Sequence, residues 1–290
     1  MRIAYLTQSY PPMISGAAVS VQQIAELMAQ LGHQVLVIAA SDRDYPYNLT
    51  RDNLTILRLR SLSNPLRVGQ RAIANPRRVT MNALARFQPD VIHVHEPMQL
   101  GTLALAYAKR EQVPVIFTVH LLPGFATTYL PGKLGQWTEQ IIWIYARAIL
   151  GKYSAVITPT KTTADTVRER TGIKSKVISN GLNLMKFHPP LPSDDEAASR
   201  QKWNLPLRVP LLLHVGRLDA DKRVDKVIRA IAQTLRESEA HLVIVGDGCQ
   251  KNTLMQLCVE LGISKRAHFM GFVSVEVGLP DLYRLANILS

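Results

Sequence analysis

The sequence predicts an α/β chain of two parallel-sheet units, the second smaller than the first. Three observations predict it. Short apolar runs alternate with stretches of helical periodicity from the first residues onward, which implies βαβ crossovers and a mainly parallel sheet. The alternation breaks once, at "FHPPLPSDDEAASRQKWNLPLRVP", a stretch with five prolines and the acidic cluster Asp194, Asp195 and Glu196, and then resumes. A hydrophobic content of 47% over 290 residues is enough for two cores. The expected boundaries are an N-terminal domain over 1–187, a Pro-rich linker over 188–208 and a C-terminal domain over 209–290.

The elements follow in order. "RIAYLTQSY" reads as a strand, and "PPMISGAAVSVQQIAELMAQLGH" as a loop and an amphipathic helix with Val21, Ile24, Leu27, Met28 and Leu31 on one face. "QVLVIAA" and "LTILRLR" read as strands, and a helix lies near "RRVTMNALARF". "PDVIHVH" is a buried strand, "MQLGTLALAYAKREQ" a helix and "PVIFTVH" a strand. "TEQIIWIYARAILGKY" is apolar enough to predict a largely buried helix, "SAVITPT" is a strand, and "KTTADTVRERTG" is a helix closed by Gly172. "SKVISNGL" ends the first half. "LLLHVGRL", "HLVIVGDG" and "AHFMGF" supply about three strands of a second sheet, and the chain stops at "LYRLANILS". An incomplete second sheet predicts exposed apolar edges on "LLLHV" or "HLVIV".

Charge narrows the function. The net charge is +12, and from Asn53 to Pro89 no acidic residue occurs while Arg58, Arg60, Arg67, Arg71, Arg77, Arg78 and Arg86 do. A solvated basic face is the ordinary explanation. The interleaved Leu57, Leu59, Leu62, Leu66, Val68, Ile73 and Val79 instead suit an anionic membrane surface bound through the Arg58–Arg86 segment. Few aromatics are interleaved there, which argues against nucleic acid. Two cysteines without CxxC spacing fit a reducing compartment. The N-terminus lacks a signal-peptide apolar region and no run approaches a membrane span, so a cytoplasmic protein able to sit peripherally on the inner membrane face is expected.

Ligands of open parallel sheets bind beyond the carboxyl ends of the strands. Polar residues and glycines cluster there: Gly16, His95 with Glu96, His120, Asn180 with Gly181, Gly216 with Arg217, and Gly246, Asp247 and Gly248. Gly216, Arg217 and Lys222 form a candidate phosphate site, with a glycine for close approach, a helix N-terminus and two cations. Alternatively Arg217 pairs with Asp219 or Asp221, and Lys222 with Asp225; the spacing alone leaves both readings open. His93 and His95 share one strand face, but a metal site is disfavoured because only His120 could join them. No GxGxxG, Walker lysine or GxSxG occurs at the required context.

Taken in order, "YPPMISGAAVSVQQIAELMAQLGHQV", "PDVIHVHEP", "VIFTVH", "VITPTKTTAD", "VISNGLNLMKFHP", "LLHVGRLDADKRVD", "LVIVGDG" and "FMGFV" resemble the retaining glycosyltransferases of family 4. The resemblance implies the GT-B fold: two Rossmann-like domains, acceptor half and nucleotide-sugar half, facing across a cleft. It implies transfer of a hexose from a UDP- or GDP-sugar to a lipid or glycan with retention of configuration, and no metal. By the same resemblance Arg217 and Lys222 hold the leaving diphosphate, Gly16 and Gly216 approach its phosphates, His120 contacts the donor sugar, and Gly246, Gly271 and Val273 lie near the nucleoside. The basic segment resembles the membrane-facing surface of lipid-glycosylating members.

Two departures are expected to matter. Ala17 stands where the family often has a second glycine, and the family's E-x7-E segment does not occur before Ser290. The second domain is therefore expected to be incomplete and residues 1–290 to be weakly active or inactive. The other reading is a truncated, non-catalytic paralogue that binds a membrane or a partner.

Overall fold

A computed structural model describes residues 1–13, 15–63, 71–124 and 132–290. The chain divides into two compact units, Met1–Gly181 and Leu182–Ser290.

The first unit carries a sheet of strands β1 (Arg2–Leu6), β2 (Gln34–Ala40), β3 (Tyr47–Arg51), β4 (Leu54–Leu59), β7 (Val91–Val94), β8 (Val115–Thr118), β9 (Ala155–Thr158) and β10 (Lys176–Val177). Their order is β10-β9-β8-β7-β1-β2-β4-β3. All pairs are parallel except β3 with β4, so β3 is an antiparallel edge. A separate short ribbon joins β5 (Ser61–Ser63) to β6 (Arg71–Ile73). Because side chains alternate along a strand, Ala4, Leu6, Leu36 and Ile38 face one core while Ile3, Tyr5, Val35 and Val37 face the other. Helices α2 (Arg77–Phe87), α3 (Gln99–Glu111), α4 (Gly132–Leu150) and α5 (Lys161–Thr171) contribute to the first core. Helix α1 (Gly16–Gln30) closes the second through Val21 and Ala25. Of the face predicted for α1, Ile24 and Met28 pack at its border, whereas Leu27 and Leu31 are exposed.

Helix α4 overturns one expectation. It buries Gly135, Trp143, Ile149 and Leu150, yet Leu134, Trp137, Ile141 and Ile144 are exposed, the last 70%. The 3-4-3 spacing of those four puts them on one outward stripe, so the helix is apolar on both sides rather than buried.

The basic segment is also redistributed. Arg58 is buried at 2% exposure and donates to the carbonyls of Tyr10, Pro11 and Ala40. Arg71 donates to Ser61 and to the Arg43 carbonyl and pairs with Asp44 at 2.6 Å. These two guanidiniums hold loops together: burial keeps Arg58 from any membrane surface, and Arg71 is turned toward Ser61, the Arg43 carbonyl and Asp44. Arg60, Arg77, Arg78 and Arg86 are exposed; Arg67 lies outside the described residues.

In the second unit β11 (Leu211–Val215), β12 (His241–Val245), β13 (Ala267–Gly271) and β14 (Ile288–Leu289) form a parallel sheet in the order β13-β12-β11-β14. Helices α7 (Val224–Glu237) and α8 (Lys251–Glu260) cover one face, and α9 (Leu279–Leu285) packs with Leu205, Leu211 and Val245 on the other. The stretch read as Pro-rich contains helix α6 (Glu196–Lys202), capped by Asp195. The sheet has four strands rather than three, because Ile288–Leu289 pairs with β11. The expected exposed edges are therefore interior: "LLLHV" lies between β12 and β14, and "HLVIV" between β11 and β13.

Candidate functional site

In the second unit three loops leave the carboxyl ends of β11, β12 and β13 and are tied to one another through backbone groups. Gly216 N–H donates to Val245 at 3.0 Å, Gly246 N–H to Gly271 at 2.8 Å, Leu218 N–H to Asp247 at 3.0 Å and Gln250 N–H to Leu218 at 2.9 Å. Gly246 has φ +141°, and a Cβ there would stand 1.9 Å from the Gly216 carbonyl oxygen. Only glycine permits this contact. Gly248 is similarly pressed on Leu218, at 2.5 Å. Gly271, φ +68°, sits where the β12–β13 register shifts. Val273 is buried in the core beside Leu211 and Val243, so its side chain serves packing.

Arg217 is exposed on the first of these loops and donates to both Asp219 and Asp221, the latter at 3.0 Å. Asp219 also accepts from Cys249 N–H at 3.1 Å, which ties the arginine's partner to the next loop. Sequence reasoning did not single out Asp219 as a tie between loops. Lys222 ends a 3-10 turn, Ala220–Lys222, and is exposed with no ion pair among the described residues. Asp225, offered above as its alternative partner, pairs instead with Arg223 at 3.3 Å. The ion-pair alternative thus holds for Arg217 and fails for Lys222.

In the first unit Gly16 opens α1, whose N-cap Ser15 accepts from Ala18 N–H at 3.1 Å. Neither Gly16 nor Ala17 has a positive φ. Ala17 is an ordinary helical residue, so the missing second glycine costs no backbone freedom here. Glu96 accepts from Met98 N–H and Leu100 N–H and caps α3. Burial pushes its carboxyl above the usual range against those amides. Ser20 Oγ lies 3.1 Å from Asn180 Oδ1, joining α1 to the loop after β10.

His93, His95 and His120 come together at the ends of β7 and β8. His93 Nε2 lies 2.7 Å from Thr118 Oγ1, and His95 Nδ1 lies 2.8 Å from His120 Nε2. The His95 and His120 rings stack at 5.1 Å. Burial holds all three imidazoles neutral: His93 and His120 are lowered to about 4, and His95 is lowered well below the usual imidazole value. The sequence placed His93 and His95 on one strand face and named His120 as the residue that could join them in a disfavoured metal site; the direct bond between His95 and His120 depends on strand register and was not legible. A cavity of about 210 Å³, bordered by Tyr10, Glu26, Tyr47, Arg51 and Arg58, includes none of the predicted site residues.

Comparison with known proteins matches the chain to a family. The family model described as Glycosyltransferase Family 4 matches residues 14–186, and the one described as Glycosyl transferases group 1 matches residues 195–290. An uncharacterized glycosyltransferase of Methanocaldococcus jannaschii is 29% identical over 100% of this chain and 74% of its own length. The alpha-monoglucosyldiacylglycerol synthase of Streptococcus pneumoniae is 25% identical over 94% of this chain and 62% of its own. A GDP-mannose-dependent alpha-mannosyltransferase of Mycobacterium tuberculosis is 28% identical over 88% of this chain and 65% of its own. The chain therefore spans less than two thirds of the last two. Among solved structures, sucrose-phosphate synthase of Thermosynechococcus elongatus superposes with a TM-score of 0.75 at 21% identity, covering 99% of this chain and 74% of that one. Anabaena HepE in complex with UDP and glucose does so at 0.72 and 18%, covering 100% and 73%. These neighbours are GT-B glycosyltransferases, and the two parallel-sheet units here share that fold. Since the first family model alone spans more than half of the residues, the chain belongs to glycosyltransferase family 4.

Proposed function

We propose that this protein moves a hexose from a UDP- or GDP-sugar to a lipid acceptor with retention of anomeric configuration. In that reaction the anomeric carbon–oxygen bond to the diphosphate breaks, the acceptor oxygen takes its place on the same face, and the acceptor's proton is released. Negative charge gathers on the leaving diphosphate. Arg217 and Lys222 are its proposed partners, with the backbone at Gly216 and Gly16 close to the phosphates, Gly246, Gly271 and Val273 near the nucleoside, and His120 against the donor sugar. In this reading 1–187 is the acceptor half and 209–290 the nucleotide-sugar half, joined by 188–208.

The observation that carries the reading is Lys222, an exposed ammonium without an ion pair among the described residues, five residues from Arg217 on a loop against which Gly246 and Gly248 of the next loop bring backbone close. A cation left unpaired beside such a loop suits an anionic ligand. The names of relatives support both donor classes, one acting on GDP-mannose and one structure holding UDP with glucose. The diacylglycerol-directed relative supports the lipid acceptor. No helix among the described residues is long and apolar enough to cross a membrane. Peripheral association with an anionic inner membrane face is therefore the proposed route to a lipid, through the outward stripe of α4 together with Arg77 and Arg78.

Calorimetric titration of UDP-glucose and GDP-mannose tests the site. One of them is expected to bind, and Arg217→Ala and Lys222→Ala are each expected to weaken it by about tenfold or more, the loss of one charge-assisted hydrogen bond. Affinity unchanged by both substitutions would remove the diphosphate assignment.

A further inference from the structure

We propose that His95 is a positioning residue that fixes His120 as its Nδ1–H tautomer, so that His120 offers the donor sugar a hydrogen-bond donor and not an acceptor. The proposal rests on the reading of His120 as a sugar contact.

A neutral imidazole carries one N–H, and which nitrogen holds it is set by the hydrogen bond the other makes. Between His95 Nδ1 and His120 Nε2, at 2.8 Å, one proton must lie. If His120 Nε2 held it, His95 would carry its own proton on Nε2. That atom is buried with no partner, in a residue only 8% exposed. An orphaned buried N–H is the rarer and costlier defect; a bare buried nitrogen lone pair is tolerated more readily. The proton therefore sits on His95 Nδ1 and points to His120 Nε2. His120 must then be protonated on Nδ1, which has no hydrogen-bond partner among the described residues of this partly exposed side chain.

The surroundings lock this arrangement. The His95 ring lies between Tyr5 at 6.0 Å, His93 at 4.2 Å and His120 at 5.1 Å, and its backbone N–H is held by the Leu6 carbonyl at 2.9 Å. His93 is pinned in turn to Thr118. A ring flip of His95 would break the bond to His120 and is opposed by these neighbours. The substrate group that matches is a hydroxyl or ring oxygen of the hexose, accepting from Nδ1–H.

Long-range proton–nitrogen NMR of ¹⁵N-labelled 1–290 at neutral pH reads the tautomer directly, with His120→Gln and His95→Asn used to assign the two side chains. The expected result is Nδ1–H on both residues. His95→Asn places an amide N–H where Nδ1–H stood and should keep His120 as Nδ1–H, while His95→Leu should release it to Nε2–H. Nε2–H on His120 in the unsubstituted protein would overturn the proposal, as would an unchanged His120 tautomer in a folded His95→Leu. A second arm titrates UDP-glucose and GDP-mannose. His95→Leu is expected to weaken the binding sugar nucleotide by about tenfold, the worth of one hydrogen bond, and His95→Asn to restore most of it. A sugar nucleotide that binds without moving the His120 resonances would overturn the sugar-contact reading even where the tautomer is as stated.

Discussion

Gly216 and Gly246 face each other across two loops yet differ in what they tolerate. A Cβ on Gly246 would enter the Gly216 carbonyl, whereas one on Gly216 would meet only the His214 ring at 3.4 Å. Gly246→Ala is expected to destabilise the second unit by about 2 kcal/mol or more, and Gly216→Ala by much less. Urea unfolding followed through Trp203, the one tryptophan after residue 181, separates them; equal midpoints would refute the close approach. Residues of this kind were legible as loop-end glycines because strand periodicity marks where strands stop. Their distinct roles were not, because φ and the approach of one backbone to another are set by pairing between distant strands. The same holds for Arg58, whose charge read as surface and whose contacts with three carbonyls place it inside.

Helix α4 shows what element-level patterning conceals. Its apolar count was plain in the sequence, but count does not give phase, and half of those side chains point outward. Lys133 and Arg147 are exposed on the same helix, and its one acid, Glu139, accepts from Trp143 Nε1 at 3.2 Å. Changing Trp137, Ile141 and Ile144 together to serine removes exposed apolar surface only. Folding stability should shift little, while partitioning onto vesicles containing phosphatidylglycerol should fall by about a thousandfold or more, since each of the three side chains is worth at least about 1.5 kcal/mol when buried. Partitioning that survives the triple change would refute the role of this helix. Conversely, β3 was missed as an element because "YNLTR" lacks the apolar alternation of a strand; four of its five residues are exposed on the sheet edge.

At the scale of the whole molecule, alternation along the chain was enough to read two parallel sheets, because parallel strands need a crossover and each crossover leaves its own helical period. The final strand escaped notice, since two residues carry no period. A property of the whole fold follows from its neutral histidines. His93 and His120 titrate near 4 when folded and near 6.5 when unfolded, so the unfolded chain binds more protons between those values. Stability is fully present above pH 6.5 and is lost as pH falls toward 4, with a limiting slope of about 1.4 kcal/mol per pH unit for each histidine. Melting temperatures at pH 7, 5.5 and 4.5 should decline in that order; a flat profile would contradict the burial of this cluster.

Arg217 already holds two carboxylates and Arg223 holds Asp225, so with Lys222 the stretch Arg217–Asp225 carries three positive and three negative groups. Despite a chain charge of +12, the formal charges of this stretch sum to zero, with Lys222 as the cation no acid pairs among the described residues. Occupation is then an ion exchange: Asp219 and Asp221 are released as phosphate oxygens take over their guanidinium. Added salt weakens the old pairs and the new ones alike, so affinity at this loop should hardly depend on ionic strength, in contrast to a bare basic patch. Selection falls to the shape of the incoming anion, which must replace two acids in one geometry.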